Sequence, residues 1–176
     1  MFTYRLPFDE WEGTIETPEK ARAWVQMAAK TGIDGLKLTA YPPDIMAALL
    51  DEAKKLGLGS TAHLSQQGVA EMNALDAARL GLGTLTHFYG LFEALYDGHD
   101  VQPWPPNQNH ADEQQRFGQV ARQWNLVHKR GSPEWRALLT EFKSLGLILD
   151  PTMTAYLASR NVMYRRSEDW HEKYTL

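Results

Sequence analysis

Cysteine is absent from the 176 residues. That excludes disulfides and thiolate-held metal, and leaves the redox compartment open. No run of 18 apolar residues occurs, which excludes an ordinary transmembrane helix. The opening Met1-Phe2-Thr3-Tyr4-Arg5 lacks the apolar stretch of a signal peptide, so a cytoplasmic setting is the default expectation. Excess positive charge is missing as well. The net charge is −4, and lysines and arginines are scattered, so neither nucleic acid nor a membrane surface is an expected partner. What remains is an ordinary globular composition, 43% apolar, in a chain long enough for one domain with a real core.

The chain reads as helix, glycine, strand, four times over. Thr17 is placed as an N-cap with Pro18 at the first helical position. Ala21, Trp24, Val25 and Ala28 then form one apolar face, and Gly32 stops the helix before a strand at 33–39. Pro42-Pro43-Asp44 opens a second helix with Met46, Leu49, Leu50 and Ala53 on its face. Gly57 stops it, and a strand follows at 59–64. A third helix is expected over roughly 69–80, stopped by Gly81 and followed by a strand at 83–88. Residues 89–131 interrupt the rhythm as a long insertion, proline-rich at its centre, with one extra helix expected over 114–129. Ser132-Pro133-Glu134 starts another helix, with Trp135, Leu138, Leu139 and Phe142 on one face and Gly146 as its stop. Leu147 to Asp150 is the fourth strand, closed by Pro151, and residues 153–175 read as an amphipathic helix.

Repeated helix–strand units predict a parallel α/β sheet flanked by helices. The phrases "LGLGSTAHL" and "LGLGTLTHF" place His63 and His87 at the ends of consecutive strands, and Lys37 stands on the strand before them. Those ends are where parallel α/β proteins build their sites. Strands about 4.8 Å apart would let two such imidazoles share one ion. A lysine ammonium has only donors, so Lys37 could join them only as a carbamate, formed with CO2. The register at the fourth strand end is filled by Asp150, which before Pro151 reads as a turn or cap residue, with a general base as the alternative.

"GLKL", "STAHL", "TLTHF" and "GLILDPTMT", in that order, resemble the metal-dependent amidohydrolase superfamily, in its imidazolonepropionase-like and prolidase-like branch. The resemblance covers residues 16–154 apart from the insertion. It implies a partial (β/α)8 barrel of the TIM type, from the third helix to the seventh strand. No His-x-His pair, with which that family opens its site, occurs in the chain. The resemblance makes Lys37 the carboxylated ligand and His63 and His87 the histidine ligands of a divalent metal, most readily zinc, as one or two ions. It implies hydrolysis of amide, lactone or ester bonds in a small-molecule substrate by metal-activated water. Tyr41, Phe88, Tyr89 and Thr152 are the expected substrate contacts; Tyr96 and Trp104 are further candidates to line a pocket. His99, His110, His128 and His171 read as solvent-exposed.

Two other functions are open. Lys37 on a barrel strand could form an imine, making the chain a Schiff-base lyase. Alternatively the chain is a non-catalytic fragment that folds and self-associates. A four-strand slice exposes two sheet edges and an inner face, so a homo-oligomer or a complementary chain covering those edges is expected.

Overall fold

The computed structural model describes residues 2–3, 14–65, 69, 71–96, 107, 109 and 112–153. The expected helix at 153–175 and most of the proline-rich centre of the insertion lie outside these residues, as do Trp104, His99, His110 and His171.

Among the described residues, five parallel strands form one sheet in the order β1-β2-β3-β4-β5. They are β1 (Phe2–Thr3), β2 (Gly35–Thr39), β3 (Gly59–His63), β4 (Thr84–Thr86) and β5 (Ile148–Asp150). The last four are the expected strands, trimmed at their ends. The two-residue β1, which pairs with Gly35 and Leu36, was not expected. Between the strands run α1 (Pro18–Lys30), α2 (Pro43–Lys55), α3 (Ala74–Arg79), α4 (Glu113–Gln123) and α5 (Pro133–Leu145), with a 3-10 turn at Glu93–Leu95. None of the described helices is long and apolar enough to cross a membrane.

The helices begin where the chain offers caps. Thr17 accepts from the Lys20 amide ahead of Pro18, and Ser132 accepts from the Trp135 amide ahead of Pro133. The four stop glycines, 32, 57, 81 and 146, all adopt positive φ, the left-handed turn that ends a helix. The α1 face is buried as expected, at Ala21, Trp24, Val25 and Ala28. The stripe on α2 is wider and includes Ile45, Ala48 and Glu52. Glu52 is buried between helices, where it accepts from Gln26 Nε2 at 2.7 Å and pairs with Arg22 at 3.4 Å.

Two helix expectations are corrected. The third helix starts at Ala74, not near Val69, because Asn73 builds a capping box. Its side chain accepts from the Leu75 and Asp76 amides while Asp76 accepts from the Asn73 amide. That reciprocal cap fixes the start at Ala74, whatever the helix propensity of the residues before it. The insertion helix ends at Gln123 rather than Lys129, and its last amides pass into turns at Trp124–Leu126. On α5, Leu138 and Phe142 are buried, but Leu139 is 51% exposed. It borders an apolar cavity of about 260 Å³ between α5, the 3-10 turn and Leu149, so that flank of the helix is not packed onto the sheet.

The sheet has two unlike faces, because side chains alternate along each strand. Leu36 and Leu38, Ala62 and Leu64, and Leu85 lie on the helix side and are 0–2% exposed. Lys37, Thr39, Thr61, His63, Thr84, Thr86, Ile148 and Asp150 take the other face. That second face is polar and open, so it is where chemistry can meet solvent.

Candidate functional site

The doubled phrase suggests aligning His63 with His87, residue for residue. The sheet does otherwise. Thr61 pairs with Thr84 and Ala62 with Leu85, so His63 stands in register with Thr86, one residue short of His87. The reason is burial. A one-residue slip would move Leu85 from the helix side to the open face. In the observed register a regular strand would point His87, like Leu85, among the helices and away from His63.

His87 instead leaves the strand at φ 70°. That left-handed conformation turns its ring back to the open face, where it meets His63. The two ring centroids are 4.6 Å apart, with the planes at 79°. Strain held at such a point fits a functional position better than a packing position. The turn is anchored to the end of β5 at two points. The His87 amide donates to the Asp150 carbonyl at 2.7 Å, and His87 Nδ1 lies 2.6 Å from Thr152 Oγ1.

Lys37 lies on the same face, in register with Thr61 and therefore two residues below the His63 level. Burial pushes its ammonium below the usual lysine range, and the charge of Asp150 pulls it partly back. His87 is also held below its ordinary value, first by burial and then by Lys37, against the opposing pull of Asp150. Lys37, His87 and Asp150 thus act on one another although they come from three strands. Their environment favours a neutral imidazole at His87, the form that can donate a lone pair.

The expected substrate contacts divide. Tyr89 is 4% exposed, with its ring 5.2 Å from that of His63 and 6.4 Å from that of His87. It is a wall of the site and part of the core. Phe88 is half-buried and packs on Tyr89 and on Phe92. Tyr41 follows β2 and packs against the core. Thr152 faces His87. Tyr96 lies farther off, donating its hydroxyl to the Gln123 carbonyl at 3.2 Å, which ties the 3-10 turn to α4. His128, expected in solvent, is half-buried with Nδ1 4.0 Å from Glu134.

Thr61 and Thr86 were not singled out from the sequence. Their hydroxyls share a hydrogen bond of 2.7 Å across β3 and β4, directly below His63. The signal was present in "GSTAH" and "TLT", where Thr61 sits two residues before His63 and Thr86 two residues after Thr84, each pair sharing a face of its strand.

The donor set was tested against a shared ion. Two imidazoles bound at 2.0–2.1 Å to one ion at the tetrahedral angle hold their centroids roughly 5.2 Å apart. The observed 4.6 Å is somewhat shorter, so the two rings would have to part slightly to share such an ion. Among the described residues, no three His, Asp or Glu side chains gather closely enough to hold an ion by themselves. Lys37 as an amine carries only donors, so among the described residues it could join the two histidines at an ion only as a carbamate. No family model matches the chain, and no curated protein matches it.

Proposed function

We propose that this chain is a metal-dependent hydrolase of the amidohydrolase type, acting on an amide, lactone or ester bond of a small molecule. The observation that carries the reading is the convergence of His63 and His87, at 4.6 Å, through the left-handed turn at His87. A divalent ion bound there would act as a Lewis acid toward water and the substrate carbonyl. His63 and His87 supply neutral nitrogen ligands, and carboxylated Lys37 supplies the third. The carboxylate on the same rim is Asp150, which the reading assigns the proton of the attacking water and its return to the leaving amine or alcohol. Tyr89 and Phe88 keep one wall apolar and limit the access of bulk water.

The test is metal content together with intact mass, after incubation with zinc and bicarbonate. The expected result is one or two zinc ions per chain and a mass increment of one CO2 on the peptide carrying Lys37. Both should vanish in Lys37→Met, and the increment should be lost in acid. A chain that takes up no metal under these conditions overturns the reading.

One observation favours a second reading. The lowered pKa of Lys37 raises the fraction of neutral amine, which also suits imine formation. Borohydride reduction in the presence of a keto acid would trap a covalent adduct on Lys37 if the chain is a Schiff-base lyase. A hydrolase leaves Lys37 unlabelled.

A further inference from the structure

Thr152 sits at the rim with two unusual properties. It is a β-branched residue at φ 51°, a conformation such residues rarely adopt. Its hydroxyl also lies between two partners. Oγ1 donates to the Pro151 carbonyl at 2.8 Å, and the same oxygen lies 2.6 Å from His87 Nδ1.

A hydroxyl has one proton to give. The Pro151 carbonyl can only accept, so both contacts are satisfied together only when Oγ1 gives its proton to Pro151 and accepts from His87 Nδ1–H. The lone pair of the neutral ring is then on Nε2. We propose that Thr152 is a positioning residue for this site. By accepting from Nδ1–H it fixes His87 in one tautomer and one ring orientation, with the lone pair on Nε2.

Both ends of the contact are held in left-handed backbone, and the two turns are joined by the hydrogen bond from the His87 amide to the Asp150 carbonyl. Neither conformation is favoured by its own residue. Each is maintained because the facing turn supplies its partner. Substrate contact was the expectation for Thr152; with its one proton given to Pro151, the hydroxyl could meet a substrate only as an acceptor. The proposal extends the hydrolase reading by assigning the outer partner of one histidine ligand. The tautomer itself does not depend on that reading.

The experiment is nitrogen NMR of the full chain labelled with 15N-histidine, recorded in metal-free buffer at slightly alkaline pH. The expected His87 pattern has the protonated nitrogen at Nδ1. Thr152→Val removes the acceptor and keeps the shape; it should move the hydrogen largely to Nε2, the tautomer free histidine prefers. Thr152→Ser should restore the original pattern. Thr152→Gly accepts φ 51° without strain, so it must behave like Thr152→Val if the hydroxyl rather than the backbone sets the tautomer. This variant keeps the question open to test should Thr152→Val fold poorly. An Nε2–H pattern in the unmodified chain, or an unchanged Nδ1–H pattern in both Thr152→Val and Thr152→Gly, overturns the proposal. Zinc titration of the same samples reads the two ideas separately. Loss of Thr152 should weaken zinc binding roughly 10- to 100-fold, as for other partners of ligating histidines. A tautomer change in a chain that binds no zinc supports the role of Thr152 and removes the hydrolase reading alone.

Discussion

Gly90 offers a sharp test of how the site is supported. It follows Tyr89, whose ring packs on both histidines, and it lies against the start of α3. Its φ is +93°, and a Cβ there would stand 2.7 Å from the Ala74 nitrogen and 3.1 Å from Leu64 Cδ1. The Ala74 amide also donates to the Gly90 carbonyl at 3.1 Å, so yielding to the new methyl would loosen that bond and the Asn73 cap beside it. Gly32 provides the control, with φ +77° but nothing within 4 Å of an added Cβ. The left-handed conformation costs alanine about 1–2 kcal/mol, and this applies at both sites. Overpacking against backbone adds about 1–3 kcal/mol at Gly90 only. Gly90→Ala should therefore lose about 2–5 kcal/mol and Gly32→Ala about 1–2 kcal/mol. In a domain whose whole stability is on the order of 5–15 kcal/mol, the former is a large fraction. Urea unfolding at neutral pH measures both through the midpoint at constant slope. Equal midpoints for the two variants would refute the argument, because they would show that the close approach to Ala74 carries no cost.

The acid side of the stability profile should report His87. Its folded-state pKa lies below the ordinary 6.5, so the unfolded chain binds the proton first as pH falls. The contribution of His87 is thus fully present above about pH 6.5 and is lost downward through its folded pKa, and His87→Gln should flatten the metal-free profile in that window. An unchanged slope in urea midpoints between pH 7 and the acid limit would contradict it. Asn73→Ala removes a buried cap that serves the Leu75 and Asp76 amides, and should cost about 1–2 kcal/mol by the same unfolding assay. Asn73→Asp should recover most of that loss, and a loss equal to that of Asn73→Ala would count against the cap.

Much of the fold was legible because its causes are local. Threonine and serine before proline start α1 and α5, glycines at positive φ stop the helices, and apolar spacing selected the buried face of α1. The α3 start was misplaced because alanine-rich sequence reads as helix, whereas the Asn73–Asp76 box decides where the helix begins. Exposed Leu139 could not be foreseen, since spacing gives the face of a helix but not whether a partner covers it.

For the site, the sequence by itself determined the membership of the rim. Lys37, His63, His87 and Asp150 each close or lie near the end of a strand, and parallel order alone puts those ends on one edge. Tertiary structure decided which way they face. The repeat suggested one alignment of the two histidine phrases, but burial of Leu85 against the helices shifted the register by one residue. A shift of one reverses every side chain in a strand, so His87 reaches His63 only through its left-handed turn. That turn is held by the Asp150 carbonyl and Thr152, which lie more than 60 residues further along the chain. Local sequence can encode a strand and its ending histidine. Only the packed sheet brings in the distant partners that orient it.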